Sequence, residues 1–336
     1  MIQPGAPENR KDIPGMQLQT ENSENLKRQR QQRRKMTILK RKETGNISGQ
    51  ERTAQETILQ NEGLREEIRA YWTERARGYS EYNQQEMADA RRTMWRKKLL
   101  GLLKEKFADR EPSGIKILDA GTGPGFFAIL LAEAGYQVTA VDAAEEMLKE
   151  ARRNAGELAA GIVWKTGDVQ KLYVDNDSFD AVVTRNVTWN LPDPAAAYRE
   201  WYRVLKKGGV LYNFDADWYG HLFDEEKRNG YEQDRLHVEE KKFEDYYEGT
   251  DIERMENIAR QVPLSRLKRP QWDIETMKAA GFRQVECDTE VWKEVWTEEE
   301  IANNGSTPVF LLSGEKINRA GYAAGNCGDI RTALKK

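Results

Sequence analysis

Between residues 115 and 217, short apolar runs rich in β-branched side chains alternate with amphipathic stretches. Strands buried on both faces read as continuous apolar runs, while the helices covering them keep one polar side, so this alternation predicts a parallel sheet with helices on both faces. Strands are expected at 115–120, 137–142, 161–166, 179–185 and 209–215, with helices at about 124–135, 143–155 and 193–206 between them. The last helix gathers Ala197, Tyr198, Trp201, Val204 and Leu205 on one face, and Lys207-Gly208-Gly209 turns the chain back into the sheet.

Upstream, Ile58, Leu64, Ile68, Tyr71, Trp72 and Ala76 recur at helical spacing, and a second helix at about 86–107 aligns Met94, Leu99, Leu103 and Phe107. The alternation stops after Asp217. Residues 218–270 are charged, aromatic and helical in pattern, with Tyr231, Leu236, Phe243, Tyr246, Tyr247, Met255 and Ile258 as their apolar positions. A helix at 273–281 and strands at 283–290 and 307–314 follow. The sum is an α/β fold: a doubly wound, mostly parallel seven-stranded sheet with N-terminal helices and a helical lid insertion.

The expected organisation is a disordered basic tail (1–53), N-terminal helices covering the ligand site (54–110), the core (111–217), the lid or substrate-recognition insertion (218–270), the end of the core sheet (271–314) and a loose C-terminal tail (315–336). The first segment is poor in aromatic and periodic apolar residues, and such a composition does not repay its ordering entropy. Arg33-Arg34 ahead of Met36 also fits a translated purine-rich ribosome-binding site, with Met36 as the start, should the gene be bacterial.

With 336 residues and 38% hydrophobic content, the chain can bury one substantial core without disulfides or metal. Cys287 and Cys327 form no framework, no secretory pattern is present, and a reducing cytoplasm is the expected compartment. No apolar run reaches the roughly 20 residues that span a bilayer, so no membrane partner is expected. The net charge of −3 hides an asymmetry, because residues 1–53 hold twelve Lys and Arg against six Asp and Glu and leave the remainder at −9. An acidic body disfavours duplex nucleic acid as substrate. The run from Lys27 to Lys35 and Lys40-Arg41-Lys42 leaves open an RNA-associated protein with a basic arm.

The chemistry centres on LDAGTGPGFFA at 118–128. A strand running through Asp119 into Gly121-Thr122-Gly123-Pro124-Gly125 and then a helix brings bare backbone close to a ligand. By itself that pattern also fits an NAD(P)-dependent oxidoreductase. Here, however, the spacing is G-x-G-x-G, Phe126 holds the third dinucleotide glycine's place, and an acidic residue stands two positions upstream. The segment resembles motif I of the class I (Rossmann-like) S-adenosylmethionine-dependent methyltransferases, of the small-molecule type. That resemblance implies S-adenosylmethionine (SAM) as cofactor, with Asp119 orienting the loop and reaching the methionine amino group.

Val141-Asp142, twenty-one residues after Gly121, puts a carboxylate at the tip of the second strand, where it can accept from both ribose hydroxyls; an Asp there also serves as a helix cap before Ala143 and Ala144. By resemblance Asp168 would accept from the adenine amino group, Val169 would donate its N–H, and Asn186 would contact the methionine amino group. Tyr79, in a segment similar to the family's leading helix, would close over the cofactor or simply pack. The stretch from Asn186 to Asp193 departs from the [DN]-P-P-[YW] pattern of nucleobase amino-methylating enzymes and resembles instead the matching segment of the small-molecule group, which implies a small-molecule acceptor. On that acceptor side stand Trp189, Asn190, Trp218 and Tyr219 as substrate contacts, and His221 and Asp215 as candidate catalytic groups, His221 for its intrinsic pKa. No metal site is indicated. SAM carries its methyl group on a positive sulfur, so the protein's share is alignment, desolvation and, for some acceptors, proton removal.

Overall fold

The computed structural model describes residues 49–246 and 250–317. The chain divides into two units, Met1–Leu59 and Gln60–Lys336. Of the first, only helical backbone from Gly49 onward is described. The basic runs, Tyr247, Cys327 and most of the expected C-terminal tail lie outside the described residues. Apart from the start of the first helix, all that follows belongs to the second unit.

Seven strands form one sheet: β1 (Lys116–Ala120), β2 (Gln137–Asp142), β3 (Val163–Thr166), β4 (Phe179–Arg185), β5 (Leu205–Asp215), β6 (Arg283–Asp288) and β7 (Phe310–Glu315). Their order is β3-β2-β1-β4-β5-β7-β6, and only β7 runs antiparallel to its neighbours. The doubly wound, mostly parallel seven-stranded sheet expected from the alternation is therefore what the chain forms. Successive side chains of each strand enter opposite layers. Ile117, Ala181, Val183, Val210, Tyr212 and Phe214 join one core, and Leu118, Val182, Leu211 and Leu312 join the other.

The helices are α1 (Gly49–Ala88), α2 (Ala90–Lys106), α3 (Phe126–Glu133), α4 (Glu145–Ala155), α5 (Pro194–Val204), α6 (Glu225–Lys241), α7 (Ile252–Ala259), α8 (Gln271–Ala280), α9 (Trp292–Val295) and α10 (Glu298–Asn304). Helices α2 and α3 cover the first layer, α5 and α8 the second. The expected face of α5 is buried in full. Two expected positions differ. Trp95, not Met94, is the buried residue of α2, in line with Leu99 and Leu103 at four-residue spacing. Leu236 is 54% exposed, because α6 turns Asp234 and Val238 inward instead.

Strand order reverses between β1 and β4. Loops leaving two such strands part in opposite directions and open a crevice at their carboxyl ends, the place where open α/β sheets bind ligands.

Candidate active site

A cavity of about 340 Å³ occupies that crevice. Its floor is the β1 loop. Thr122 Oγ1 donates to Asp119 Oδ2 at 2.6 Å, so the acidic residue two positions before the first glycine braces the loop from below. Gly121 has φ +74°, and a Cβ there would meet Val187 Cγ2 at 2.4 Å, so this glycine is demanded by close packing of the β1 and β4 loops. A Cβ on Gly123 would instead lie 3.5 Å from the Tyr79 ring, in ordinary contact. The two glycines thus serve different ends. Gly125 starts α3 and backs onto Ala151; alone among the expected cofactor contacts, it does not line the cavity.

Asp142, at the tip of β2, accepts from Gly123 N and Ala144 N, both at 2.9 Å. Its cap-like bond to Ala144 and its place on the cavity wall coexist, since each carboxylate oxygen keeps a further lone pair for a ligand. Asp168 accepts from the backbone and side-chain nitrogens of Gln170 at 2.8 and 2.9 Å and lies 3.1 Å from Arg65 Nε. Ala143, Val169 and Asn186 also reach the cavity, and Asn186 sits at φ +58°. Burial pushes Asp119 up to about 7, against the Thr122 hydroxyl and the Arg185 charge. Burial likewise raises Asp142, opposed by its backbone donors.

Helix α1 forms another wall through Arg65, Ile68, Trp72, Tyr79 and Asn83. Of these, only Tyr79 was singled out from sequence as a cofactor contact. Of the others, Ile68 and Trp72 were read only as apolar positions of a helix, and Arg65 and Asn83, which follow the same spacing of three, four and seven residues, carried no chemical signature. Asn190 is tied to that helix once its amide is turned to satisfy both ends: its side-chain oxygen then accepts from Trp72 Nε1 at 2.9 Å and its nitrogen donates to Val187 O at 3.1 Å. Arg185, at the end of β4, also lines the cavity. It makes a bidentate pair with buried Glu86 at 2.9 and 3.0 Å, and its guanidinium lies over Phe126, Phe127 and Trp95. Burial works against the Arg185 charge, but Glu86 outweighs it and holds the pKa above the ordinary arginine value.

The acceptor-side expectations fare differently. Asn190 lines the cavity, whereas Trp189, Trp218, Tyr219, His221 and Asp215 do not. Asp215 is sealed: Oδ2 accepts from Thr188 Oγ1, Trp189 N and Arg269 Nη2, and Oδ1 from Ala216 N. With Arg269 and Asp273 fully buried beside it, this carboxylate anchors the loop after β4 and has no path to a substrate proton. Trp189 stacks on Tyr219 at 5.1 Å and donates from Nε1 to Asn186 O. Trp218 is half-buried and packs against two of the hydrophobic clusters. His221 is 5% exposed, stacks on Tyr231 at 4.3 Å, and is held below the usual histidine range by burial.

Residues 118–213 match the family described as methyltransferase domain. Among curated relatives, the ubiquinone biosynthesis O-methyltransferase of Xanthomonas axonopodis pv. citri is 37% identical over 103 residues, which are 30% of this chain and 43% of that protein. The protein of the same name from Methylocella silvestris is 33% identical over 112 residues, 33% of this chain and 44% of that one. The chain thus spans less than half the length of the curated relatives it matches. Among solved structures, Haemonchus contortus phosphoethanolamine N-methyltransferase 2 with bound S-adenosyl-L-methionine aligns at TM-score 0.46 and 21% identity, over 65% of this chain and 52% of that one. A TehB-like SAM-dependent methyltransferase from Corynebacterium glutamicum aligns at TM-score 0.45 and 16% identity, over 72% and 97%. No helix of the described residues is long and apolar enough to cross a membrane.

Proposed function

We propose that this chain, whose core is a class I S-adenosylmethionine-dependent methyltransferase domain, transfers a methyl group from SAM to a small-molecule acceptor. The observation that carries the reading is one cavity uniting Asp119, the glycine loop, Asp142, Asp168 and Asn186 at the reversal of strand order. Its volume falls in the range of small-molecule sites. The oxidoreductase alternative loses ground because the glycine spacing, Phe126 and the family match all favour the methyltransferase.

The residues present fit the cofactor. Among the described residues, the buried Oδ1 atoms of Asn83 and Asn186 have no hydrogen-bond partner, and both residues line the cavity. Asp142 would take the ribose, Asp168 and Val169 the adenine, and Asp119 and Asn186 the amino-acid end. The bound cofactor supplies an activated methyl group on a positive sulfur.

The chain's own work is alignment and exclusion of water. Asp215 holds Trp189 N, and Trp189 in turn holds Asn186 O, so the loop after β4 presents a fixed backbone to the reacting centre. With Asp215 sealed and His221 off the cavity, alignment and desolvation carry the rate in this reading. The curated relatives' name makes oxygen the first acceptor atom to try, while the family match covers residues 118–213, the cofactor half. Isotopically labelled SAM incubated with the protein and fractionated metabolite extracts should label a product in the small-molecule fraction. Failure to bind S-adenosylhomocysteine, together with no label in any fraction, would sink the reading.

A further inference from the structure

One polar chain at the cavity is left unused by the roles above. Asn83, on α1, is 2% exposed, and its Nδ2 donates to Glu86 Oε2 at 3.2 Å. Glu86, also 2% exposed, is itself clamped by both terminal nitrogens of Arg185. The carboxylate can only accept, so it fixes which end of the Asn83 amide faces it. The other end, Oδ1, is left buried without a partner among the described residues, on a residue that lines the cavity. A buried acceptor in that state costs free energy until a donor arrives.

The donor's identity follows from position. Asn83 lies one helical turn beyond Tyr79, whose ring faces Gly123 of the β1 loop. Arg185, which orients Asn83 through Glu86, acts electrostatically on Asp119 and stacks on Phe126 and Phe127 immediately after the glycines. Asn83 therefore belongs to the glycine-loop end of the cavity, away from Thr166, Asp168 and Val169 at the end of β3.

We infer that Asn83 Oδ1 receives the ammonium group of the cofactor's amino-acid end, and that Glu86, locked by Arg185, is the positioning residue that aims it. The inference rests on the SAM reading and deepens it: the N-terminal helix selects for the amino-acid part of the ligand, which the sheet-side motif alone does not. An apolar group at position 83, or a neutral one at 86 that lets the amide turn, should weaken recognition of that part only.

The test compares two ligands by calorimetry on the full chain. S-adenosylhomocysteine carries the amino-acid end; 5′-methylthioadenosine has the same adenine, ribose and thioether without it. Asn83→Leu should weaken S-adenosylhomocysteine by about tenfold or more, while 5′-methylthioadenosine stays within about twofold. Glu86→Gln should show the same split with a smaller loss. Retained 5′-methylthioadenosine binding doubles as the sign of a folded site. Should Asn83→Leu bind neither ligand, Asn83→Ser, which leaves room, is measured in the same way. Equal losses for both ligands, or no loss for either, would overturn the assignment. Wild-type protein that binds neither would overturn the cofactor reading itself, and the assignment with it.

Discussion

The carboxylate of Asp142, at the tip of β2, accepts from the backbone N–H of Gly123 in the loop after β1 at 2.9 Å. One side chain thus ties the loop to the neighbouring strand while standing on the cavity wall. Removing it should loosen the loop and delete a ligand contact together. Asp142→Ala is expected to weaken S-adenosylhomocysteine about a hundredfold, since hydrogen bonds to a charged group are each worth about 1.5–3 kcal/mol. Asp142→Asn retains one acceptor oxygen and should lose less. Titration calorimetry on both variants decides this, and equal affinities for Asp142→Ala and wild type would remove the residue from the site.

Gly121→Ala should be destabilising for two separable reasons. A Cβ would stand 2.4 Å from Val187 Cγ2, and φ +74° is costly for any residue with a side chain, about 1–2 kcal/mol. Combining it with Val187→Ala removes the collision but not the backbone strain. Urea melts should therefore show Gly121→Ala/Val187→Ala recovering part of the stability lost by Gly121→Ala alone. A double variant as unstable as the sum of its singles would mean the two positions do not collide.

What was legible in the sequence was local. Asp119, the glycines, Asp142 and Asp168 each sit at a strand end, and strand ends are marked by where an apolar run stops. Asn83, Glu86 and Arg185 were not legible as a unit, because Arg185 meets Glu86 from 99 residues away and nothing in either neighbourhood announces the other. Asp215 looked like an acceptor-side acid for the same reason. Its partner Arg269 is 54 residues downstream, at the far end of the insertion, and only the fold converts a strand-tip carboxylate into a sealed ion pair. Leu236 failed differently: helical spacing predicted an apolar face, but α6 docks through Asp234, which accepts from the backbone and hydroxyl of Ser306.

The Arg269 ion pair carries its own prediction. Arg269 Nη2 reaches Asp215 at 3.3 Å and Asp273 at 2.9 Å, and all three side chains are fully buried. Arg269→Met would strand two carboxylates without their cation. Breaking a buried pair from one side costs about 3–5 kcal/mol, far more than the pair contributes relative to an apolar replacement. Denaturant unfolding should show a loss of that size, and a variant combining Arg269→Met with Asp215→Asn should recover part of it. A loss below about 1 kcal/mol would show that the network matters little.

Finally, the buried Asp119 predicts a pH dependence. Burial raises its pKa to about 7 in the folded protein, against an ordinary carboxyl value of 3.8. Between those two values the native state binds more protons than the unfolded chain, so this group's contribution to stability falls as pH rises through that window and is level above it. Ligand binding should run the other way. An ionised Asp119 attracts the ligand's ammonium group and a protonated one does not, so affinity for S-adenosylhomocysteine should climb about tenfold or more from pH 5.5 to 7.5. Asp119→Asn should bind weakly and lose most of that slope, with any remainder reporting Asp142, whose pKa burial also raises. Calorimetry across that range in buffers of different ionisation enthalpy would count the protons released. A flat wild-type profile would place the Asp119 charge outside ligand recognition.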